Sequence, residues 1–220
     1  MPHLVRIWDL PTRLFHWLLA LCVIGLVTSA QLGYMEWHFR LGYAVLTLLV
    51  FRLLWGLFGG RWSRFVAFIY SPLSLWRYLR GRGDPLHAVG HTPTGALSVF
   101  ALLFFLLAQV GTGLFSDDEI SASGPLTRLA SSDLVSLASW YHSEVGKRVL
   151  IVLVILHIVA ILYYLWRKRQ NLVRPMLTGD KELAQPAPAS RDDARTRLLA
   201  AVLLLLSAAA VTLLLWLAGA

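Results

Sequence analysis

Four of the seven histidines in this sequence stand where a histidine is costly. His16, His38, His142 and His157 lie in or at the ends of long apolar runs. An ionisable side chain inside such a run is expensive and marks a functional position by default. An imidazole can offer a lone pair to a metal from one ring nitrogen and donate an N–H from the other. Two imidazoles on different helices at one level are what the two axial positions of a haem iron require. The neighbours suit a flat ligand. His38 is followed at i+4 by Gly42 and His142 by Gly146, and position i+4 lies on the same helix face. His16 has Ala20 at i+4, and His157 has Ala160 at i+3. For any single histidine, an interior residue with ordinary hydrogen bonds is the plainer reading. The arrangement of the four separates the two readings.

That arrangement depends on the elements that carry them. The chain is 57% hydrophobic and 15% charged, against about 45–50% and 25% for a soluble domain. The excess gathers in five blocks, at about 13–33, 38–58, 95–115, 146–166 and 198–217. Each is long enough to cross a hydrocarbon layer of about 30 Å. The expected fold is therefore an all-α integral membrane protein. Four transmembrane helices over residues 1–178 are followed by a flexible cytoplasmic linker over 179–197 and an additional C-terminal transmembrane helix over 198–220. The N-terminal apolar run exceeds the 7–15 residues of a signal peptide core, and Thr28-Ser29-Ala30 is a weak cleavage match, so this segment reads as helix one. Residues 70–80 suit a short helix lying at the headgroups. Ser131, Ser132 or Asp133 suits the cap of another over 131–141.

The formal net charge is +8, but its placement speaks for topology rather than nucleic acid. Arg61, Arg64, Arg77, Arg80 and Arg82 fall between the second and third blocks. Arg167, Lys168, Arg169, Arg174, Lys181, Arg191, Arg195 and Arg197 fall between the fourth and fifth. Residues 34–37 have no Lys or Arg, and 116–144 carry only Arg128 against Asp117, Asp118, Glu119, Asp133 and Glu144. Basic loops stay cytoplasmic, which puts the N-terminus inside and the C-terminus outside. The four histidines then sort into two layers, His16 with His157 on the inner side and His38 with His142 on the outer. Fifteen residues apart on one helix, His142 and His157 stand roughly 22 Å apart along the axis and are offset by about 60°.

The flanking charges suit carboxylates such as haem propionates. Arg40, Lys147 and Arg148 stand near the outer layer, and Arg13, Arg52, Arg167 and Arg169 near the inner. Snorkelling to the interface is the competing role. His91, four residues before Gly95, repeats the histidine–glycine spacing at the inner end of the third span; it rivals the inner pair as an iron ligand, or borders the inner haem or a quinone pocket. Thr92 and Pro93 after it suit a helix start. His3 and His87 read as solvated. Cys22, the one cysteine, excludes an intramolecular disulfide and a covalent haem attachment, and reads as packing.

The segment WDLPTRLFHW, residues 8–17, resembles the first helix of bacterial cytochrome b561 proteins and of nickel–iron hydrogenase cytochrome b subunits. GHTPTGALSVF at 90–100 and RKRQNLVRPMLTGDK at 167–181 are similar to the same group, so the resemblance covers roughly residues 3–181. It implies a four-helix bundle holding two non-covalent, bis-histidine haem b groups. It also implies electron exchange with the quinone pool and with a redox partner in a bacterial inner membrane. The net charge of −4 over residues 116–144 suits a basic periplasmic partner such as a small cytochrome c, or another redox subunit. By motif position it assigns His16, His38, His142 and His157 as axial ligands. The fifth helix departs from the pattern.

The competing reading is a cofactor-free transporter or structural membrane subunit. Acidic residues in the spans or inverted repeats would favour it, and none of the apolar cores contains Asp or Glu. A zinc hydrolase would need a tight histidine–glutamate cluster, which does not occur. The haem reading predicts a red purified protein with about two haems per chain, extractable by acid–acetone. A colourless, correctly folded preparation would refute it.

Overall fold

A computed structural model describes residues 3–120 and 122–219, apart from the side chains of Pro85 and Ala88. Strand β1 (His3–Arg6) leads into α1 (Leu10–Gln31), α2 (Met35–Phe58), the short α3 (Pro72–Leu79) and α4 (Pro93–Gly113). Next come α5 (Ser132–Trp140), a π-turn (Tyr141–Gly146) and α6 (Lys147–Trp166). The chain ends with α7 (Val173–Thr178), β2 (Asp180–Leu183) and α8 (Ala194–Ala218). Five helical stretches among the described residues are long and apolar enough to cross a membrane, the fourth running from Ser132 to Trp166. Their outward residues are apolar, among them Leu21 and Ile24 on α1, Ile155 and Val159 on α6, and Leu205 and Leu217 on α8. Water would not tolerate such faces on a protein of this size, whereas lipid would. The expected short helices are present. Ser71 caps α3 and Ser131 caps α5, each accepting a backbone N–H with its hydroxyl.

The chain divides into two compact units. The first comprises the described residues of 1–16, 52–101 and 156–203. Its organising residue is Asp9, fully buried at the N-cap of α1. The Asp9 carboxylate accepts the Thr12 N–H at 2.8 Å, the Ser63 hydroxyl at 2.8 Å and the Trp55 indole N–H at 3.2 Å. Gly60 makes this approach possible, since a Cβ there would overlap the Asp9 carboxylate. Pro11 in the first turn donates no N–H and suits that position. A small core of Val5, Ile7, Trp8, Val89 and Leu183 closes beside it.

Residues 179–197, expected to be a flexible linker, are instead held along much of their length. β2 pairs antiparallel with β1, His3 opposite Leu183 and Arg6 opposite Asp180. The left-handed Gly179 (φ +92°) ends α7 and offers its carbonyl to the N–H groups of Ile7 and Trp8. The Ser190 hydroxyl donates to the Ile7 carbonyl, and the Trp62 indole donates to the Pro188 carbonyl. Asp192, with a side chain only 5% exposed, pairs with Arg6 at 2.7 Å, Arg197 at 3.0 Å and Arg13 at 3.8 Å. Proline content suggested a loose segment, but prolines also suit an extended strap whose hydrogen bonds come from neighbours. α8 starts at Ala194 rather than 198 because Asp193 caps it through the Thr196 N–H.

The second unit comprises the described residues of 17–51, 102–155 and 204–220. Its loop between α4 and α5 folds on itself. Asp118 accepts backbone N–H groups from Ile120 and Ala122, and Leu126 returns its N–H to the Leu114 carbonyl. The Ser139 hydroxyl accepts the Asp117 N–H and ties the loop to α5.

Replacing Asp192 with Ala should leave three arginines without their shared carboxylate and cost about 2–4 kcal/mol. Burial alone would raise the Asp192 pKa, but bonds from Arg197, the Leu10 N–H and Arg6 outweigh it and hold it low. The stabilisation is therefore complete above the ordinary carboxylate pKa of about 4 and is lost as pH falls through the lower folded value. Trypsin should cut after Lys181 and Arg191 faster in the variant at neutral pH; equal rates would mean that the clasp does not hold the strap.

Candidate functional site

In the second unit, His38 near the start of α2 and His142 in the π-turn face each other. Their ring centres are 6.2 Å apart and their planes 89° apart. His38 Nδ1 lies 3.1 Å from the Leu26 carbonyl and His142 Nδ1 2.8 Å from the Gln109 carbonyl. A carbonyl only accepts, so each Nδ1 carries the proton and each Nε2 keeps its lone pair. This is the tautomer of a metal-binding histidine braced by a backbone acceptor. Both line a cavity of about 730 Å³ with Gly42, Gln109 and Lys147, within the usual 300–1,000 Å³ range for ligand sites. A Cβ built on Gly42 would meet nothing within 4 Å, so open space lies beside His38 as the spacing suggests.

Gly146 has another role. A Cβ there would overlap the Gln109 side-chain oxygen, so the room it leaves is taken by Gln109 rather than by a ligand. Gly113 does the corresponding service for His142, whose Cε1 would lie 2.8 Å from an added Cβ. The fourth span also departs from the regular helix assumed in the sequence. The π-turn Tyr141–Gly146 falls on His142, and its N–H groups reach back five residues instead of four. An angular offset taken from 3.6 residues per turn does not apply through it.

In the first unit, His16 on α1 and His157 on α6 stand with ring centres 6.4 Å apart and planes at 49°. Arg52 is 3% exposed. Its guanidinium lies over the rings of Phe65 at 4.7 Å and Phe15 at 6.0 Å, and its Nη1 is buried without a hydrogen-bond partner. A buried cation with an unused donor calls for an anion.

His91 makes its ring contacts with Trp8 at 4.6 Å and Phe68 at 4.4 Å. Its backbone carbonyl accepts the Tyr70 hydroxyl at 2.8 Å. Burial, reinforced by Arg52, Lys181 and His157, pushes its pKa down to about 3. The Thr92 hydroxyl accepts the Gly95 N–H and caps α4, which gives the His91–Gly95 spacing a local cause. His87, expected to be solvated, packs against Tyr70 and Tyr78, with ring centres 4.8 and 6.0 Å away. Tyr78 bonds Tyr164 at 2.9 Å, and burial together with that bond raises the Tyr78 pKa to about 12.

The expected carboxylate partners differ among themselves. Lys147 lines the cavity. Arg40 pairs with Glu36 and lies over Trp37, and Arg148 pairs with Glu144 at 2.6 Å, each one helical turn along. Arg13 donates to the Leu177 carbonyl at 2.6 Å. Arg167 and Arg169 are exposed. Gln109 and the Leu26 carbonyl escaped the sequence reading. Periodicity carries no signal for a backbone acceptor on another helix, although a glutamine in an otherwise apolar span was a visible anomaly.

Two histidines that share one metal in trans have ring centres about 6.3 Å apart, given metal–nitrogen bonds of about 2.0–2.1 Å and imidazole radii of about 1.1 Å. Both pairs have this separation. With the lone pairs at His38 and His142, the cavity and the open donor of Arg52, the residues present fit a haem. Among the described residues no group of three or more His, Cys, Asp or Glu forms a metal cluster.

Histidine pairs on apolar helices of membrane-crossing length define a class of membrane redox protein. Residues 7–179 match the family model described as prokaryotic cytochrome b561, and the chain belongs to that family. It is a multi-pass membrane protein whose membrane-crossing elements are helices, and a b-type haem electron-transfer protein. It is also 22% identical over 223 residues to a probable Ni/Fe-hydrogenase B-type cytochrome subunit of Bradyrhizobium diazoefficiens, covering 81% of this chain and 86% of the relative. No solved structure matches.

His91 makes a pH prediction. Between its folded pKa of about 3 and an unfolded value of about 6.5, the unfolded chain binds the extra proton, so stability falls as pH drops through that window. In detergent, His91→Gln should lose less thermal stability than the parent between about pH 6.5 and 4. Parallel curves would mean that His91 is not enclosed as described.

Proposed function

We propose that this chain holds two non-covalent haem b groups and carries electrons across the bacterial inner membrane between the quinone pool and a redox partner. The observation that carries the reading is the repeated spacing of two histidine pairs, 6.4 Å for His16 and His157 and 6.2 Å for His38 and His142. These four residues are the proposed axial ligands. A bound haem b supplies a one-electron ferric–ferrous couple, and bis-imidazole ligation, burial and nearby charge set its potential.

The residues do the positioning. The Leu26 and Gln109 carbonyls hold the ring N–H groups of His38 and His142 and fix which nitrogen faces the cavity. Gly42 leaves its side of the cavity open. Lys147 can meet a propionate of the outer group from the cavity wall. Arg40 and Arg148 would first exchange their glutamate partners. At the inner pair, Arg52 supplies an unused buried donor for the same purpose. His91 borders that end as a neutral imidazole. The charge bias of the loops supports a cytoplasmic N-terminus and a periplasmic C-terminus. The acidic loop 116–144 then faces outward, where it suits a basic partner such as a periplasmic cytochrome c or another redox subunit. Residues 1–178 are the haem-carrying domain, and 198–220 add a helix without histidine.

Single replacements test the pairing. His38→Ala or His142→Ala should remove one haem and leave the other spectrum intact, and His16→Ala or His157→Ala should remove the other. Depletion of the same haem by His38→Ala and His157→Ala would break the assignment, and loss of a haem in His91→Ala but not in His16→Ala would replace the inner ligand.

A further inference from the structure

We propose that Gln109 is the positioning residue for His142, and that its side-chain amide, seated in the space left by Gly146, sets the angle between the two imidazole planes of the outer pair. The inference rests on the bis-histidine reading of His38 and His142.

Gln109 holds His142 at two points. Its backbone carbonyl accepts from the ring Nδ1 at 2.8 Å, and its side-chain Nε2 donates to the His142 carbonyl at 2.9 Å. One bond fixes the tip of the side chain and the other fixes the backbone from which it springs. The amide cannot be turned over, because its oxygen would then face the carbonyl of His142 with no proton between them. As placed, Oε1 is buried with no hydrogen-bond partner. An unpaired buried acceptor is unfavourable, so the fold keeps this amide for what its nitrogen does.

The backbone around it is built to the same end. The π-turn Tyr141–Gly146 interrupts the helix at His142, and π-turns of this kind are frequent at functional sites. A Cβ on Gly146 would overlap the Gln109 amide oxygen, and one on Gly113 would crowd the His142 ring at 2.8 Å. Two glycines on two helices thus clear room for one glutamine–histidine contact. The result is a ring plane turned 89° from that of His38. The other pair, His16 and His157, stands at 49°.

The angle has a spectroscopic consequence. Perpendicular axial imidazoles donate equally to the two iron π orbitals and leave them nearly degenerate. A ferric low-spin centre of that kind gives a highly anisotropic electron paramagnetic resonance signal with an extreme low-field feature. Smaller angles split the orbitals and bring the feature to higher field.

The test uses the full chain with both haems bound. Gln109→Leu removes the amide donor but keeps the backbone carbonyl for the ring. Gly146→Ala expels the amide without changing Gln109. Each should retain about two haems and move the low-field feature of the signal that His142→Ala abolishes, with the other signal unchanged as an internal reference. The double variant should shift no further than the singles, since both act through one contact. If Gln109→Leu loses the haem altogether, Gly146→Ala decides: a shifted signal supports the proposal and an unshifted one overturns it. Unshifted signals in both variants, with His142→Ala still abolishing one, would overturn this inference alone. If His142→Ala leaves both signals, the ligand reading falls, and this inference with it.

Discussion

An imidazole inside a hydrocarbon layer must settle both of its nitrogens within the protein. Water is absent, and the helix carbonyls already accept from the N–H groups of their own helices. Each carbonyl still has a second lone pair. His38 and His142 use that spare capacity, with Leu26 and Gln109 as acceptors. Once Nδ1–H is committed to a carbonyl, Nε2 is left as a lone pair with no donor to meet it among the described residues. Helix spacing, glycine placement and the π-turn then serve to bring two such lone pairs to one cavity.

The first unit obeys the same constraint with different residues. Asp9 is buried, and it is tolerable because three donors converge on it, one of them the cap of α1. The cap sets where α1 begins, and so fixes the depth of His16 two turns along. The strap of residues 179–193 closes over this region through β1 pairing and the Asp192 clasp. Arg13 contributes to it through Leu177 and Asp192. The opening motif is therefore a folding device as well as the segment that carries His16. Asp9 and Arg13 hold the chain so that His16 stands opposite His157.

The two histidine pairs differ in their surroundings. His38 and His142 are braced by backbone carbonyls beside an open cavity. The unit that holds His16 and His157 buries the Arg52 guanidinium among aromatic rings and encloses the His91 imidazole. A positive charge in low dielectric stabilises added electron density, so it is expected to raise the potential of a nearby redox centre. Neutral carbonyl braces act instead on the basicity of the ligand. The chain thus presents two histidine pairs of similar spacing with distinct electrostatic settings.

The sequence by itself determined the spans, the loop charges, the short helices within 70–80 and 131–141, and the four histidines that meet in pairs. Those follow from composition, period and charge, which are local properties that lipid enforces along one dimension. It did not determine where 179–197 would lie, because a strand that borrows its partner from residues 3–6 has no local signature. Nor did it show that Gly146 serves Gln109, or that the helix would loosen into a π-turn at His142. The i+4 rule names a face but not its occupant. Only the tertiary structure decided that, because the space beside a glycine belongs to whichever side chain from another helix reaches it first.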